Sequence, residues 1–120
     1  MDKIIIKDLK IYAYHGVNES EKQKGQIFSI DATLNFKDLS KPCNSDNLTD
    51  TVNYSSVVKT ITKIVNSKNF NLLEKLSQEI ATALLKEYSL INSLTICVKK
   101  PMAPMEAVFD YVAVEVTRCR

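Results

Sequence analysis

The stretch from Ile27 to Phe36 constrains this chain more than any other. Phe28, Ile30, Ala32, Leu34 and Phe36 alternate with Ser29, Asp31, Thr33 and Asn35. Successive side chains of a strand point to opposite faces, so a period of two with one apolar and one polar side predicts a half-buried antiparallel strand. Such a strand needs neighbours. Ile4 to Tyr14 is rich in β-branched and aromatic residues and reads as a second strand, ending at a turn at His15-Gly16. Leu94, Ile96 and Val98 alternate with Thr95 and Cys97, with Cys97 read as a small core residue. Val108, Asp110, Val112, Val114 and Val116 interleave with Phe109, Tyr111, Ala113 and Glu115. These are two further strands, divided by Lys100-Pro101-Met102-Ala103-Pro104.

The middle of the chain changes period. Leu39 to Thr49 holds Ser, Pro, Asn and Asp and reads as a loop. Val57, Val58, Ile61, Ile64 and Val65 have helical spacing, with Asn53 as the expected N-cap. A second helix carries Leu73, Leu76, Ile80 and Leu84 on one face, and Asn71 and Glu74 stand at N-cap and N3 spacing. The order strand, strand, helix, helix, strand, strand segregates the two kinds of element. It predicts an α+β fold, a four-stranded antiparallel sheet with two helices on one face. The other face meets water or another subunit. With 120 residues, the chain reads as a single domain, 1–120. A domain of this size buries only about two-thirds of its unfolded surface, so association would help it.

Several functions are excluded by what the chain lacks. The formal net charge of +2 comes from lysines scattered among acids, with no basic stripe for nucleic acid. Met1 to Ile6 turns polar again at Lys7-Asp8, too soon for a signal peptide or a membrane span. Cys43, Cys97 and Cys119 are far apart and odd in number, which fits reduced thiols in a cytoplasmic protein. One histidine allows no histidine-based metal cluster, and two glycines, Gly16 and Gly25, allow no phosphate-cradling loop. Catalysis is left to Lys, Tyr, Glu, Asp or backbone groups.

Four places could carry it: Tyr12-Ala13-Tyr14-His15-Gly16 with Glu21 and Gly25-Gln26; Asp50-Thr51-Val52-Asn53-Tyr54; Asn71-Leu72-Leu73-Glu74; and Val98-Lys99-Lys100-Pro101. Taken singly, each has an adequate structural explanation as a strand end, a helix start, a helix cap or a turn. Together, in this order and spacing, they resemble the dihydroneopterin aldolase family, and the resemblance runs from about residue 4 to residue 117. It implies the tunnelling fold, in which the sheets of four subunits close into a barrel ring and two rings commonly stack. A homotetramer or homo-octamer with sites between subunits follows.

The resemblance also implies a reaction in folate biosynthesis. 7,8-Dihydroneopterin would be cleaved to 6-hydroxymethyl-7,8-dihydropterin and glycolaldehyde, with C2′ epimerisation as an accompanying outcome. The enzyme would be a carbon–carbon lyase without cofactor, metal or Schiff base, because the pterin ring imine accepts the electrons. By the same resemblance, Lys100 is the catalytic lysine, Tyr54 helps protonate the enol, and Glu21 orients Lys100 and the substrate side chain. Glu74 anchors the pterin edge through paired N–H bonds. Thr51, Val52 and Asn53 line the ring from the neighbouring subunit, and Leu73 supplies a backbone contact. Asn53 stands where many members carry histidine. His15 reads as structural, a neutral imidazole satisfying a nearby backbone group, and residues 102–106 receive no role. Two alternatives remain at this point: a dihydroneopterin triphosphate 2′-epimerase, for which no added basic cluster is evident, and a non-catalytic pterin-binding ring protein.

Overall fold

The computed structural model describes residues 1–120. Four strands, β1 (Asp2–Ala13), β2 (Gln26–Phe36), β3 (Ser93–Lys100) and β4 (Val112–Cys119), form one antiparallel sheet in the order β1-β2-β3-β4. The alternation in β2 does what its pattern demands. Phe28, Ile30, Ala32, Leu34 and Phe36 are buried, joined by Leu94, Ile96 and Val98 of β3. Two helices, Tyr54–Val65 and Leu73–Glu87, close that face with Val57, Ile61, Val65, Leu76, Ile80 and Leu84. Asn53 caps the first of them, its side chain accepting the Ser55 N–H at 3.0 Å.

The opposite face carries no helix. Thr95 and Thr117 hydrogen-bond across it at 2.8 Å, and Ile5 stands 61% exposed. Cys97 lies on this face, half-buried, because its neighbours Ile96 and Val98 take the core side. The expectation of a core cysteine is corrected by strand parity. β1 and β4 each leave one edge unpaired. The molecule is also long, 51 × 27 × 23 Å, with a radius of gyration of 15.5 Å, against about 13.6 Å for a compact chain of this length.

Four further differences have local causes. The loop expected at 39–49 contains a helix, Ser40–Ser45, and a 3-10 turn, Leu48–Asp50. Pro42 fits in the first turn, where an N–H has no helical partner, and Asp46 ends the helix at φ 55° with its N–H on the Pro42 carbonyl. A second short helix, Glu19–Lys24, lies inside the polar segment after His15. In chain order the helices are therefore α1 (Glu19–Lys24), α2 (Ser40–Ser45), α3 (Tyr54–Val65) and α4 (Leu73–Glu87). Leu72, not Asn71, is the N-cap of α4, and it supplies no side-chain cap. Finally, 108–111 are not strand. β3 ends at Lys100 opposite Val112, and Pro101 has no N–H to extend the ladder, so the alternation at Val108–Tyr111 has no partner.

Candidate active site

Strand parity sends Lys100 to the helix-covered side, like Val98. It is 9% exposed, and its Nζ lies 2.6 Å from Oε2 of Glu21, itself 8% exposed. Glu21 reaches this position from α1, which connects the end of β1 to the start of β2. Its other oxygen, Oε1, accepts the Asn18 N–H at 3.3 Å. Gly16 makes the approach possible: a Cβ built there would stand 2.3 Å from the Glu21 carboxylate, and φ is +145°, where side chains are strained. The Lys100 Nζ also stands 5.9 Å from the Phe28 ring centroid. Two opposite charges taken out of water together, with short geometry, make a buried ion pair with a high cost of separation.

Lys99, one residue earlier, points to the uncovered face. Its Nζ lies 2.5 Å from Asp8 Oδ1 and 3.1 Å from Asp31 Oδ2. Asp8 gets there through a β-bulge between Ile6 and Leu9, where it adopts φ 53°. Its N–H donates to Asp31 Oδ1 at 2.8 Å, and Ser29 Oγ lies 3.1 Å from its carboxylate. The Asp8 hydrogen bond, foremost, and then Asp31 push the Lys99 pKa well above the ordinary lysine value, against the effect of burial. Lys99 stays a cation. Nothing in the sequence points to this cluster beyond two consecutive lysines at the end of a strand.

His15 is 1% exposed, between the rings of Phe28 and Phe70 at 5.2 and 5.4 Å. Its Nδ1 accepts the Phe70 N–H at 2.9 Å, so the neutral ring carries its proton on Nε2. Burial, first, and then the charge of Lys100 hold its pKa below the usual histidine value, and the buried Nε2 has no hydrogen-bond partner. A neutral imidazole satisfying a backbone group is the expected role.

Glu74 occupies the second position of α4, is exposed, and makes no hydrogen bond or ion pair. Asn71 does not cap α4: its Oδ1 accepts from Lys22 Nζ at 2.7 Å. The capping-box expectation is therefore overturned, and the Glu74 carboxylate is left free beside the positive end of a helix. Leu73 is buried beneath it. Segment 15–22 links the Lys100–Glu21 pair to the chain just before Leu73 and Glu74: Glu21 holds Lys100, while His15, Gly16 and Lys22 bond Phe70 and Asn71.

Tyr54, Thr51 and Val52 do not join them. They line a cleft of about 360 Å³ with Ile4, Ile5, Ile6 and Leu48, on the outer side of β1. Ile5 pairs with Thr33, and Thr33 with Thr95. Lys100 is five residues beyond Thr95, roughly 17 Å along the strand and two strands away. Tyr54 is 64% exposed, and the Asn53 side-chain oxygen is committed to its cap. The site residues thus fall into two groups on one chain, one at the open β1 edge and the other where the inner strand β3 stops, near the α1 connection between β1 and β2.

A family model described as FolB, dihydroneopterin aldolase, matches residues 4–117. The chain is 35% identical over 120 residues to the dihydroneopterin aldolase of Streptococcus pyogenes serotype M18, covering 100% of both. It is 35% identical over 118 residues to that of Bacillus subtilis, covering 98% of both. Among solved structures, Escherichia coli dihydroneopterin aldolase in complex with neopterin matches with a TM-score of 0.89 at 27% identity, over 98% of this chain and 99% of that one.

Proposed function

The chain belongs to the dihydroneopterin aldolase family, and we propose that it carries out the retro-aldol cleavage of 7,8-dihydroneopterin on the Lys100–Glu21 pair. The buried pair at 2.6 Å is the observation that carries this reading. An amine engaged by a carboxylate is placed to move protons and to stabilise developing charge. It is not a free nucleophile, which supports a reaction without a Schiff base. In this scheme the 2′-hydroxyl gives up its proton to the pair as the C1′–C2′ bond breaks, and glycolaldehyde leaves. The bonding electrons enter the ring imine, and the resulting enol regains one proton at C1′, from Lys100 with Tyr54 acting through water. No metal or cofactor takes part.

Glu74 holds the pterin edge. Its lack of any partner in the protein supports that role, since a carboxylate can accept two parallel N–H bonds from the ring. Leu73 offers a backbone contact, and Thr51, Val52 and Asn53 border the ring from another subunit. The roughly 17 Å offset between the Tyr54 cleft and Lys100 supports a site shared between copies. So do the two unpaired edges: pairing β1 of one copy with β4 of the next removes both. The assembly is a ring of four, alone or stacked in pairs, acting in the cytoplasm on a pterin and on no nucleic acid or membrane. No helix of the chain is long and apolar enough to cross a membrane.

Incubation with 7,8-dihydroneopterin, following glycolaldehyde, tests the proposal. Release by the parent protein and at least about a hundredfold slower release by Lys100→Ala is the expected result, in line with loss of a positioned proton-transfer group. No release by the folded parent, or equal release by both, refutes it.

A further inference from the structure

The segment from His15 to Lys22 touches both the Lys100–Glu21 pair and the start of α4. Two consecutive residues grip one peptide unit on each side of Phe70: His15 Nδ1 accepts its N–H, and the Gly16 N–H donates to its carbonyl, both at 2.9 Å. Lys22 closes the loop, its Nζ donating to the Gly16 carbonyl and to Asn71 Oδ1. One residue before Lys22, Glu21 holds Lys100. The start of α4 needs such support. Leu72 gives it no side-chain cap and is itself 52% exposed, so the hydrogen bonds that locate residues 70–71 come from the 15–22 segment.

We infer that His15 and Lys22 are positioning residues that fix the spacing between Glu74 and the Lys100–Glu21 pair, and through it the affinity for the pterin ring. The inference rests on the reading of Glu74 as the ring anchor. A bidentate contact tolerates little misplacement. If the start of α4 drifts, the ring loses one of its two hydrogen bonds before the proton-transfer pair is disturbed, because Glu21 keeps its own contacts to Lys100 and Asn18. The consequence falls on binding more than on bond breaking.

Three substitutions test this. His15→Phe fills the ring volume without an acceptor. His15→Asn places an amide oxygen where Nδ1 stood. Lys22→Met keeps the stem and removes both hydrogen bonds. The readouts are the neopterin Kd by fluorescence titration of the assembled protein, and KM and kcat with 7,8-dihydroneopterin. His15→Phe and Lys22→Met are expected to raise Kd and KM about tenfold, the effect of one lost hydrogen bond, with kcat within about twofold. His15→Asn stays within about threefold of the parent. Glu74→Ala is measured alongside. If Glu74→Ala binds neopterin as the parent does, the anchor reading fails and the inference with it. If Glu74→Ala weakens binding while Lys22→Met, folded by circular dichroism, binds normally or loses only kcat, the inference alone is overturned. Lys22 is half-buried and outside the core, so its variant decides the matter should His15→Phe not fold.

Discussion

Removing Glu21 is the sharpest test of the burial of the Lys100–Glu21 pair. The side chains of Glu21 and Lys100 are 6% and 11% exposed, and their oxygen and nitrogen lie 2.6 Å apart. Glu21→Ala leaves an ammonium in a site from which water is largely excluded. Breaking a buried pair by deleting one partner costs about 3–5 kcal/mol. With a urea slope of about 1.5 kcal/mol per molar, the unfolding midpoint falls by roughly 2–3 M at fixed protein concentration. The lost Asn18 hydrogen bond, 3.3 Å and weak, adds little. Glu21→Gln, which keeps that acceptor, separates the two contributions. Replacing both partners, Glu21→Leu with Lys100→Met, recovers most of the loss, because no unpaired charge remains. The exposed pair Lys75–Glu79, with side chains 58% and 37% exposed, is the control and shifts the midpoint far less. A cost below about 1 kcal/mol for Glu21→Ala, the range of a surface pair, would refute the burial argument.

Two further outcomes follow from the same segment. Gly16→Ala places a methyl group 2.3 Å from the Glu21 carboxylate at φ +145°; glycolaldehyde release is expected to fall at least about tenfold, as misplacement of a catalytic group costs, and unchanged release would show that Glu21 need not sit against Gly16. His15 has a folded-state pKa below its unfolded value of about 6.5. The unfolded chain therefore binds the extra proton first, and this contribution to stability is present above about pH 6.5 and lost as pH falls below it. Tm measured between pH 7.5 and 5 is expected to drop more steeply in the parent than in His15→Asn; parallel curves would count against a buried neutral imidazole.

Much of the fold was legible because its signals are local. The period-two run of β2 and the cap of α3 by Asn53 each depend on neighbouring residues, and both appear as read. The misreadings arose where a distant partner decides. Residues 108–111 alternate like a strand, but strand needs a ladder, and β3 has already ended at Lys100. Asn71 has the right type and spacing for a cap, but Lys22 takes its oxygen. Cys97 sits in an apolar run, yet parity turns it outward. For the site, the residue types could be narrowed by exclusion, while the meeting of Lys100 with Glu21, 79 residues apart, could come only from resemblance. The offset between Tyr54 and Lys100 lay beyond any local pattern, because it depends on where the strands stop.

The two adjacent lysines show how far parity alone carries the assignment. In β3, Leu94, Ile96 and Val98 are fully buried against the helices, so the next residue on that side is Lys100 and the next on the other is Lys99. Nothing in the types Lys-Lys distinguishes them. The strand does, by sending one to Glu21 and the other to Asp8 and Asp31. Two carboxylates, Asp8 foremost, raise the Lys99 pKa above the ordinary lysine value and hold it as a cation. Lys100 faces one carboxylate, which is itself shared with the Asn18 N–H. A one-residue slip of β3 would exchange the two roles. The seven-pair ladder between β2 and β3, with the half-buried Asp31 opposite Cys97, opposes that slip. The bulge at Asp8 reinforces it, since only in the observed register does the Asp8 carboxylate meet Lys99. The left-handed φ of Asp8 on the uncovered face thus helps decide which lysine meets Glu21 on the other.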